Sequence, residues 1–357
     1  MGKAKAKRNP DAPGISPEVL LQAARTLEEA FSWILFSHMK LDGDAIGTAT
    51  ALFEAGVLRG KRVRWMGPDP MPPSYRFLPH TESYSTRREY PFDEGDDLYV
   101  VLDSSNEERG VAGLRDRAPG AFVLNIDHHG DNSRFGTFNC VDASASSTSE
   151  LMWHIMTAGG WSITAEMAVC LYTGIFADTG GFVFANTTEA THKVAADLLR
   201  RGVRPPAIDA ALRQNRSLEG MHLWGMALAR AECWGDEKKF ALSWLTKEDF
   251  VSTGADMADT EALVNQLLRI RGVRFAVLVT DELSADRSGV KASFRSREAM
   301  VEAVAVAHLL GGGGHPRASG ASLNMTMDEA LRLIRETTDK AYADWLSAGQ
   351  GLGQKSE

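Results

Sequence analysis

The chain has 357 residues, which is long enough for two domains of ordinary size. Hydrophobic residues make up 44% and charged residues 24% of it, a composition that argues against a wholly disordered or fibrous protein. The formal net charge of −8 argues against a protein that coats long nucleic acids through a broad basic surface.

The spacing of the cysteines and the lengths of the apolar runs indicate the cellular environment in which the protein functions. The three cysteines, Cys140, Cys170 and Cys233, lie far apart without CxxC spacing, so neither a disulfide framework nor a thiolate zinc site is predicted. No apolar run approaches the roughly 18 residues that a membrane span needs. We therefore expect a cytoplasmic protein without a membrane partner.

The N-terminal half alternates between two sequence periods. Ser16 and Pro17 precede "EVLLQAARTLEEAFSW", which predicts an amphipathic helix. The apolar runs "WILFS", "RVRWMG", "LYVVLD" and "FVLNID" then predict strands, and they alternate with helical stretches such as "AIGTATALFEAGVLRG". This rhythm predicts an α/β domain over residues 16–203, with a parallel sheet and helices on both faces.

The C-terminal half predicts a smaller α/β domain with a mixed sheet. Residues 204–220 are predicted as a helical linker, and the second domain follows over residues 221–346. It contains a hairpin "ECWGDEKKFALSWL", a helix "DTEALVNQLLRI", strands "RFAVLVTDE" and "GVKASFRS", and a final helix "MDEALRLIRETTDKAYADWL". Flexible tails are expected at 1–15 and 347–357, and an active-site cleft is expected between the two domains.

Four polar clusters directly follow apolar segments of the first domain. They are "HMKLDGD" with His38, Asp42 and Asp44, "LDSSN" with Asp103, "IDHHGDN" with Asp127, His128 and His129, and "FADTGGF" with Asp178. Ligand sites of parallel sheets lie beyond the carboxyl ends of the strands, where these clusters would meet. A single strand-end aspartate is more often a helix cap, but four converging clusters would repel one another unless cations neutralised them. Mixed imidazole and carboxylate ligands suit manganese, iron or zinc better than calcium.

A glycine-rich loop and several arginines mark the second domain. The run "GGGGHPRASG" either allows positive φ angles or lets the backbone approach a ligand closely. His315 and Arg317 beside it, with Arg295 on a preceding strand and on the same face as Ser293, predict an anion clamp. Arg297 and Arg317 could equally be solvated, although residues 265–320 carry eight Lys/Arg against five Asp/Glu. Three other histidines are predicted to pack in the cores: His154, His192 and His308.

These motifs resemble those of a known family. "HMKLDGDAIG", "VLDSS", "IDHHGDNSRFG", "ASSTSEL" and "FADTGGF" resemble, in order, the motifs of the DHH phosphoesterases. "VKASFRSR" and "GGGGHPRASG" resemble the DHHA1 domain that accompanies them. The resemblance covers about residues 20 to 340, and the two-domain layout is similar to the bacterial nano-RNase and pAp phosphatase group.

The resemblance implies a site with two manganese ions. The first ion would be held by His38, Asp42 and Asp103, and the second by Asp44, Asp103, His128 and Asp178. Asp103 would bridge the two ions, which lower the pKa of a shared water and supply a hydroxide nucleophile. Leu41 stands where the family usually has proline before the first aspartate, a change that removes no ligand.

The resemblance also implies roles for residues that hold no metal. His129 would face the scissile phosphate as a donor, and Asp127 would orient a neighbouring histidine. The nucleotide end of the substrate would contact Arg295, Gly313, Gly314 and His315.

The activity implied is hydrolysis of very short RNA to mononucleotides, of pAp to AMP, or of both. The alternatives are a cyclic dinucleotide phosphodiesterase acting on c-di-AMP or pApA, a family II pyrophosphatase, a RecJ-like exonuclease and a non-catalytic nucleotide sensor. The absence of an N-terminal sensing extension argues against the cyclic dinucleotide phosphodiesterase, and the "GGGGH" loop argues against the pyrophosphatase. The short chain argues against the RecJ-like exonuclease, and the complete ligand set argues against the sensor. Substrate preference, cleavage polarity, the physiological metal and the choice between monomer and homodimer are left open.

Overall fold

The computed structural model describes residues 14–87, 98–113, 120–214, 216–283, 289–297 and 300–349. These residues form two compact units that meet in the chain at position 215. Most of the tails predicted to be flexible lie outside the described residues. No helix within the described residues is both long and apolar enough to cross a membrane.

The first unit contains six strands and seven α-helices among its described residues. In chain order these are α1 (Pro17–Glu29), β1 (Ser32–Ser37), α2 (Gly43–Leu58), β2 (Arg62–Gly67), β3 (Tyr84–Thr86), β4 (Leu98–Leu102), α3 (Glu107–Gly110), β5 (Val123–Asp127), β6 (Phe138–Val141), α4 (Thr148–Ala158), α5 (Ala165–Asp178), α6 (Glu189–Arg200) and α7 (Pro205–Arg213).

The sheet of the first unit is parallel throughout, as predicted. Its strand order is β3-β2-β1-β4-β5-β6. Leu35 of β1 pairs with Trp65 on one side and with Val100 of β4 on the other. The order reverses between β1 and β4, and such a reversal opens a crevice at the carboxyl ends of these two strands.

Both faces of this sheet are buried. Trp33 and Leu35 pack into the larger core with α1, α2, α4 and α5, whereas Ile34 and Phe36 pack on the opposite face with Val101. Gly110 of α3 lies against Val101 on that second face. Burial on both faces explains why the central strands β1 and β4 contain continuous apolar runs without alternation.

Two element boundaries of the first unit differ from the sequence prediction. Helix α1 ends at Glu29, four residues before the predicted end, because Trp33 belongs to β1 and fills the core. Within the predicted linker, α7 packs into the first unit through the buried Ile208. The domain limits given by the sequence remain predictions.

The second unit contains a mixed six-stranded sheet, as predicted. The strand order is β11-β12-β10-β9-β8-β7, in which β8 and β9 are parallel and the other neighbours antiparallel. Its elements are α8 (Leu218–Ala229), β7 (Glu232–Trp234), β8 (Phe240–Leu245), α9 (Lys247–Thr253), α10 (Leu263–Leu267), β9 (Phe275–Asp281), β10 (Val290–Ser296), α11 (Ala303–Leu309), β11 (Gly313–His315), β12 (Ala318–Leu323) and α12 (Met327–Ser347).

Three predictions about single features are corrected by the structure. The helix predicted over "DTEALVNQLLRI" is interrupted, because Ala262 has φ +62 and separates a 3₁₀ turn from α10. His192 and His308 are exposed rather than packed. His192 lies on the outer face of α6, where its ring stacks on Phe182 at 5.5 Å between centroids.

Candidate metal centre

His38 directly follows β1 and is almost completely buried. Its Nδ1 lies 2.6 Å from the carbonyl oxygen of Met39, which can only accept, so Nδ1 is the donor. Its Nε2 lies 3.3 Å from Asp103 Oδ2 and 3.6 Å from Asp42 Oδ2, yet it has no hydrogen-bond partner. This buried ring nitrogen thus faces two carboxylates without forming a well-aligned hydrogen bond to either.

Asp42 and Asp44 are fixed by two different helix starts. Asp42 caps α2, and its Oδ1 accepts from the backbone N–H groups of Asp44 and Ala45, both at 3.1 Å. The buried Asp44 accepts from Thr148 N at 2.6 Å and from Ser149 N at 2.9 Å, at the start of α4. A helix N-terminus favours a negative charge, so this start stabilises the Asp44 carboxylate.

Asp103 follows β4 and lies at the centre of the cluster. Its backbone is in the left-handed region with φ +56, a strained conformation for a residue other than glycine. Oδ2 faces His38, whereas Oδ1 accepts from Thr148 Oγ1 at 2.8 Å and lies 3.7 Å from His128 Nε2. The two oxygens of one buried carboxylate therefore face two separate groups of side chains.

His128 and Asp178 complete the second of these groups. His128 Nε2 lies 3.6 Å from Asp178 Oδ2 and 3.9 Å from Asp44 Oδ2. Asp178 is the last residue of α5, so this candidate ligand comes from a helix end and not from a strand. Asn186 Nδ2 donates to Asp178 Oδ2 at 3.3 Å and holds the carboxylate in place.

The residues fit a metal centre. Three groups of His and Asp side chains have one possible ligand atom per residue within 4.8 Å of one another: His38, Asp42 and Asp103; Asp44, His128 and Asp178; and Asp103, His128 and His129. The unpartnered His38 Nε2 lies in the first group. Mixed nitrogen and oxygen donors of this kind suit divalent transition metals.

The pKa values of the cluster reflect this crowding. Burial lowers the pKa of His38, but Asp103 and Asp42 outweigh it and raise the pKa to about 11. In the same way burial lowers the pKa of His128, and its aspartate neighbours raise it to about 9. Burial raises the pKa of Asp44, and it raises that of Asp178 to about 6. Burial would also raise the pKa of Asp103, but the histidines, His38 foremost, hold it well below its usual range. Without metal, protons on the imidazoles balance the carboxylates.

His129 lies at the edge of this cluster, with Nδ1 at 3.7 Å from Asp103 Oδ1, but that nitrogen is bound to Asp127. The distance from Nδ1 to Asp127 Oδ1 is 2.7 Å, and Asp127 is fully buried. The other oxygen of Asp127 accepts from Asn132 Nδ2 at 2.6 Å. Asn132 also donates to Asn125 Oδ1 at 2.8 Å. Asn132 therefore holds one oxygen of the Asp127 carboxylate, and the other oxygen fixes the ring of His129.

Four residues of the site have no role in the sequence prediction: Thr148, Ser149, Asn132 and Asn186. The first two lie in the quoted motif "ASSTSEL". Its Ser147 and Glu150 have the spacing of a helix start, and Ser147 Oγ does accept from Glu150 N at 3.0 Å. That pattern predicts a helix N-terminus, but not that the helix would bind Asp44. The two asparagines carry no such signal.

Comparison with known families agrees with this geometry. The model of the DHH family, N-terminal domain, matches residues 32–175, and the model of the DHHA1 domain matches residues 237–343. The bifunctional oligoribonuclease and PAP phosphatase NrnA of Thermus thermophilus is 36% identical over 321 residues, which are 85% of this chain and 90% of that protein. The chain belongs to the DHH family.

Two further comparisons support the assignment along most of the chain. The enzyme of the same name from Bacillus subtilis is 30% identical over 327 residues, covering 87% of this chain and 95% of that one. A crystal structure of an exopolyphosphatase-related protein from Bacteroides fragilis superposes with a TM-score of 0.85 at 26% identity. It covers 93% of this chain and 98% of its own.

The DHHA1 domain carries the residues predicted to bind the substrate. Arg295 on β10 pairs with Ala318 of β12, which pairs in turn with His315 of β11, so the three backbones form one row across the sheet. Burial lowers the pKa of Arg295, and its guanidinium donates to the carbonyl of Phe294 at 2.9 Å.

The glycine loop of the DHHA1 domain forms a tight strand pair. Gly313 pairs with Gly320, and Gly314 has φ +139. A Cβ at Gly314 would lie 2.7 Å from Ser319 Cα, so both the backbone angle and the space require glycine there. The structure thus groups Arg295, Gly313, Gly314 and His315 at one part of the sheet.

Proposed function

We propose that the protein is a hydrolase that degrades very short RNA to mononucleotides and removes a phosphate from pAp, using two manganese ions. The observation that carries the proposal is the convergence of the buried His38 Nε2 with Asp103 Oδ2 at 3.3 Å and Asp42 Oδ2 at 3.6 Å, at the switch point of the sheet. The NrnA proteins of Thermus thermophilus and Bacillus subtilis are named for both activities. We further propose that the protein acts in the cytoplasm.

Two groups of residues would hold the ions. One consists of His38, Asp42 and Asp103, and the other of Asp44, His128 and Asp178 together with the second oxygen of Asp103. When bound, divalent cations polarise phosphoryl oxygens and lower the pKa of bound water. The buried Asp103 carboxylate would be shared, because its two oxygens face the two groups.

The remaining residues would bind and orient the substrate. Hydrolysis joins a water oxygen to phosphorus, breaks the phosphorus bond to the leaving ribose oxygen, and transfers a proton to that oxygen. Burial lowers the pKa of His129, but the hydrogen bond from Nδ1 to Asp127 outweighs it and raises the pKa, so the protonated ring would donate through Nε2 to the scissile phosphate. Arg295, Gly313, Gly314 and His315 would bind the nucleotide end, and Arg295 has no carboxylate within 4.0 Å among the described residues.

One purified preparation tests the proposal. It should be assayed with Mn²⁺ on pAp, on 5′-phosphorylated di- and trinucleotides and on cyclic di-AMP, with a chelator and the Asp103→Asn variant as controls. We expect AMP from pAp, mononucleotides from RNA, and little turnover in either control. Preference for cyclic di-AMP would favour the cyclic dinucleotide phosphodiesterase, and nucleotide binding without turnover would favour a sensor.

A further inference from the structure

Four exposed arginines lie at one end of the sheet in the DHHA1 domain. At this end β9 begins at Phe275, which pairs with Ser296 at the end of β10. The backbone N–H of Arg297 donates to the carbonyl of Arg274 at 2.8 Å, and that of Ser296 to the carbonyl of Arg317 at 3.1 Å. The group, which we call the arginine patch, consists of Arg269, Arg271, Arg297 and Arg317.

Side-chain hydrogen bonds position Arg297 and Arg317 within the arginine patch. The Arg297 guanidinium donates to the carbonyl of Leu268 at 2.7 Å, next to Arg269. The Arg317 guanidinium donates to the carbonyl of Arg297. These bonds use few of the five N–H donors on each guanidinium, so the cations are positioned while most donors remain available.

Among the described residues, no carboxylate lies close enough to the arginine patch to form an ion pair with it. All four side chains are exposed, and within the described part of the chain none has a carboxylate within 4.0 Å. The whole protein has a formal net charge of −8, so a concentration of cations on one surface is not an effect of overall composition. Neighbouring cations repel one another, and an anion bound between them would relieve that repulsion.

The arginine patch borders the residues proposed to bind the nucleotide end. Arg297 follows Arg295 by two residues, and Arg317 directly precedes Ala318, the strand partner of Arg295. Neighbouring strands are about 4.8 Å apart, so the patch begins within one or two residues of Arg295. An RNA chain bound at Arg295 could therefore extend directly onto the arginine patch.

We propose that the arginine patch binds successive phosphates of a short RNA, so that oligonucleotides bind more tightly than pAp. This inference rests on the proposed function and extends it to the choice among its substrates. Arginine contacts to phosphate carry no base specificity, which suits an enzyme that removes RNA fragments of any sequence. Only a substrate longer than pAp has phosphates beyond those of a single nucleotide.

The test is a binding measurement that does not depend on turnover. A fluorescent, hydrolysis-resistant phosphorothioate pentanucleotide and the matching dinucleotide are titrated by anisotropy, with Mn²⁺, at several salt concentrations. The variant is Arg269→Gln/Arg271→Gln, since among the described residues the side chain of Arg269 bonds only to Gln266 and that of Arg271 bonds to none. The control is Arg332→Gln, an exposed arginine on α12 outside the patch.

The expected results separate chain binding from a general charge effect. The double variant should bind the pentanucleotide about fivefold more weakly at low salt, and the dinucleotide nearly as the parent does. The slope of log Kd against log salt should fall by about 0.7 for each arginine that contacts a phosphate. The control should match the parent.

Two outcomes would overturn the inference. The first is equal binding of the pentanucleotide by the parent and the double variant, which would favour an acidic protein as the partner of the arginine patch. Equal weakening by Arg332→Gln would mean that only net charge matters. A parent that binds in this way but hydrolyses no nucleotide would refute the proposed function without refuting the arginine patch.

Discussion

Asp127 and His129 are joined by a hydrogen bond of 2.7 Å between Oδ1 and Nδ1 at the end of β5. Between them His128 turns towards Asp44, Asp103 and Asp178. Successive residues after a strand point in different directions, and this alternation divides the Asp-His-His run by role. His128 faces the proposed metal position, whereas Asp127 orients His129 through the hydrogen bond to its Nδ1.

This division predicts different effects for two substitutions in the run. Asp127→Asn should lower kcat/KM about 10 to 100-fold with little change in metal content, because Asp127 orients His129 without facing a metal group. His128→Ala should remove a ligand and reduce the manganese bound per chain. Metal analysis by mass spectrometry beside kinetics separates the two effects. Equal loss of metal in both variants would place Asp127 among the ligands.

Asp103→Asn should abolish activity and most metal binding, because it removes the one carboxylate whose two oxygens face both groups. Folding should survive, since the amide keeps the size of the side chain and relieves a buried charge beside Asp44. Thermal melting of the metal-free variant, compared with the metal-free parent, checks this. Normal turnover with two bound metals would exclude a shared role for Asp103.

The sequence predicted most of the fold because its apolar runs are long and regular. The run "RVRWMG" forms β2 over Arg62–Gly67 as predicted, and the alternation of strands and helices predicted that the sheet would be parallel. Apolar pattern fails where local backbone conformation decides the structure. Ala262 interrupts a predicted helix in this way. An apolar residue such as Trp33 suits the end of a helix as well as the start of a strand, so the apolar pattern does not place this boundary.

The candidate site was less predictable than the fold. His38, Asp42, Asp44, Asp103 and His128 follow strands or begin a helix, so strand-end reasoning brings them together. Thr148 and Ser149 act through contacts with a residue far away in the chain, such as the 2.6 Å bond from Thr148 N to Asp44. A single sequence contains no signal for such pairs.

Metal binding should release protons and should strengthen as pH rises. In the metal-free protein the pKa of His38 is about 11 and that of His128 about 9, so both imidazoles are protonated near neutral pH. A metal ligand must be a neutral imidazole, so metal displaces these protons, and its affinity rises up to about pH 9 and beyond. Titration calorimetry in buffers of different ionisation enthalpy measures the release. A heat independent of the buffer would contradict these protonation states.

The raised pKa values also have a consequence for the metal-free fold. Both lie above the value of 6.5 expected in the unfolded chain. The histidine-aspartate interactions therefore stabilise the fold fully below about pH 6.5, and this contribution is lost as pH rises through 9 and then 11. The rise in melting temperature on adding Mn²⁺ should accordingly be larger at pH 9 than at pH 6.

Gly174→Ala should damage both stability and metal binding. A Cβ at this position would lie 1.9 Å from Ser149 Oγ and 3.0 Å from Asp44 Oδ1. Ser149 would have to move, and with it the start of α4 that binds Asp44. We expect a loss of about 1–3 kcal/mol in the free energy of unfolding, measured by urea denaturation, and weaker metal binding.

Gly225→Ala is the matched control for this substitution. Gly225 lies inside α8, and an added Cβ there would have no atom within 4 Å. Alanine should therefore stabilise the protein by about 0.5–1 kcal/mol through helix propensity and leave metal binding unchanged. If both alanine variants behaved alike, close packing at Gly174 would not be the cause.

Arg295→Ala should weaken hydrolysis of short nucleotides without removing metal. Its guanidinium is half-buried and, within the described part of the chain, donates only to the Phe294 carbonyl, so most of its donors remain for a phosphate. A lost charge-assisted hydrogen bond is worth roughly 1.5–3 kcal/mol, so kcat/KM on a dinucleotide should fall about 10 to 100-fold. Bis(p-nitrophenyl) phosphate has no nucleotide end, and the variant should hydrolyse it almost as well as the parent. A short substrate has few other contacts that could compensate, so the difference should be largest for the shortest RNA. If both substrates lost the same factor, Arg295 would act in the chemical step or in folding, and the assignment of nucleotide binding to the DHHA1 domain would have to be abandoned.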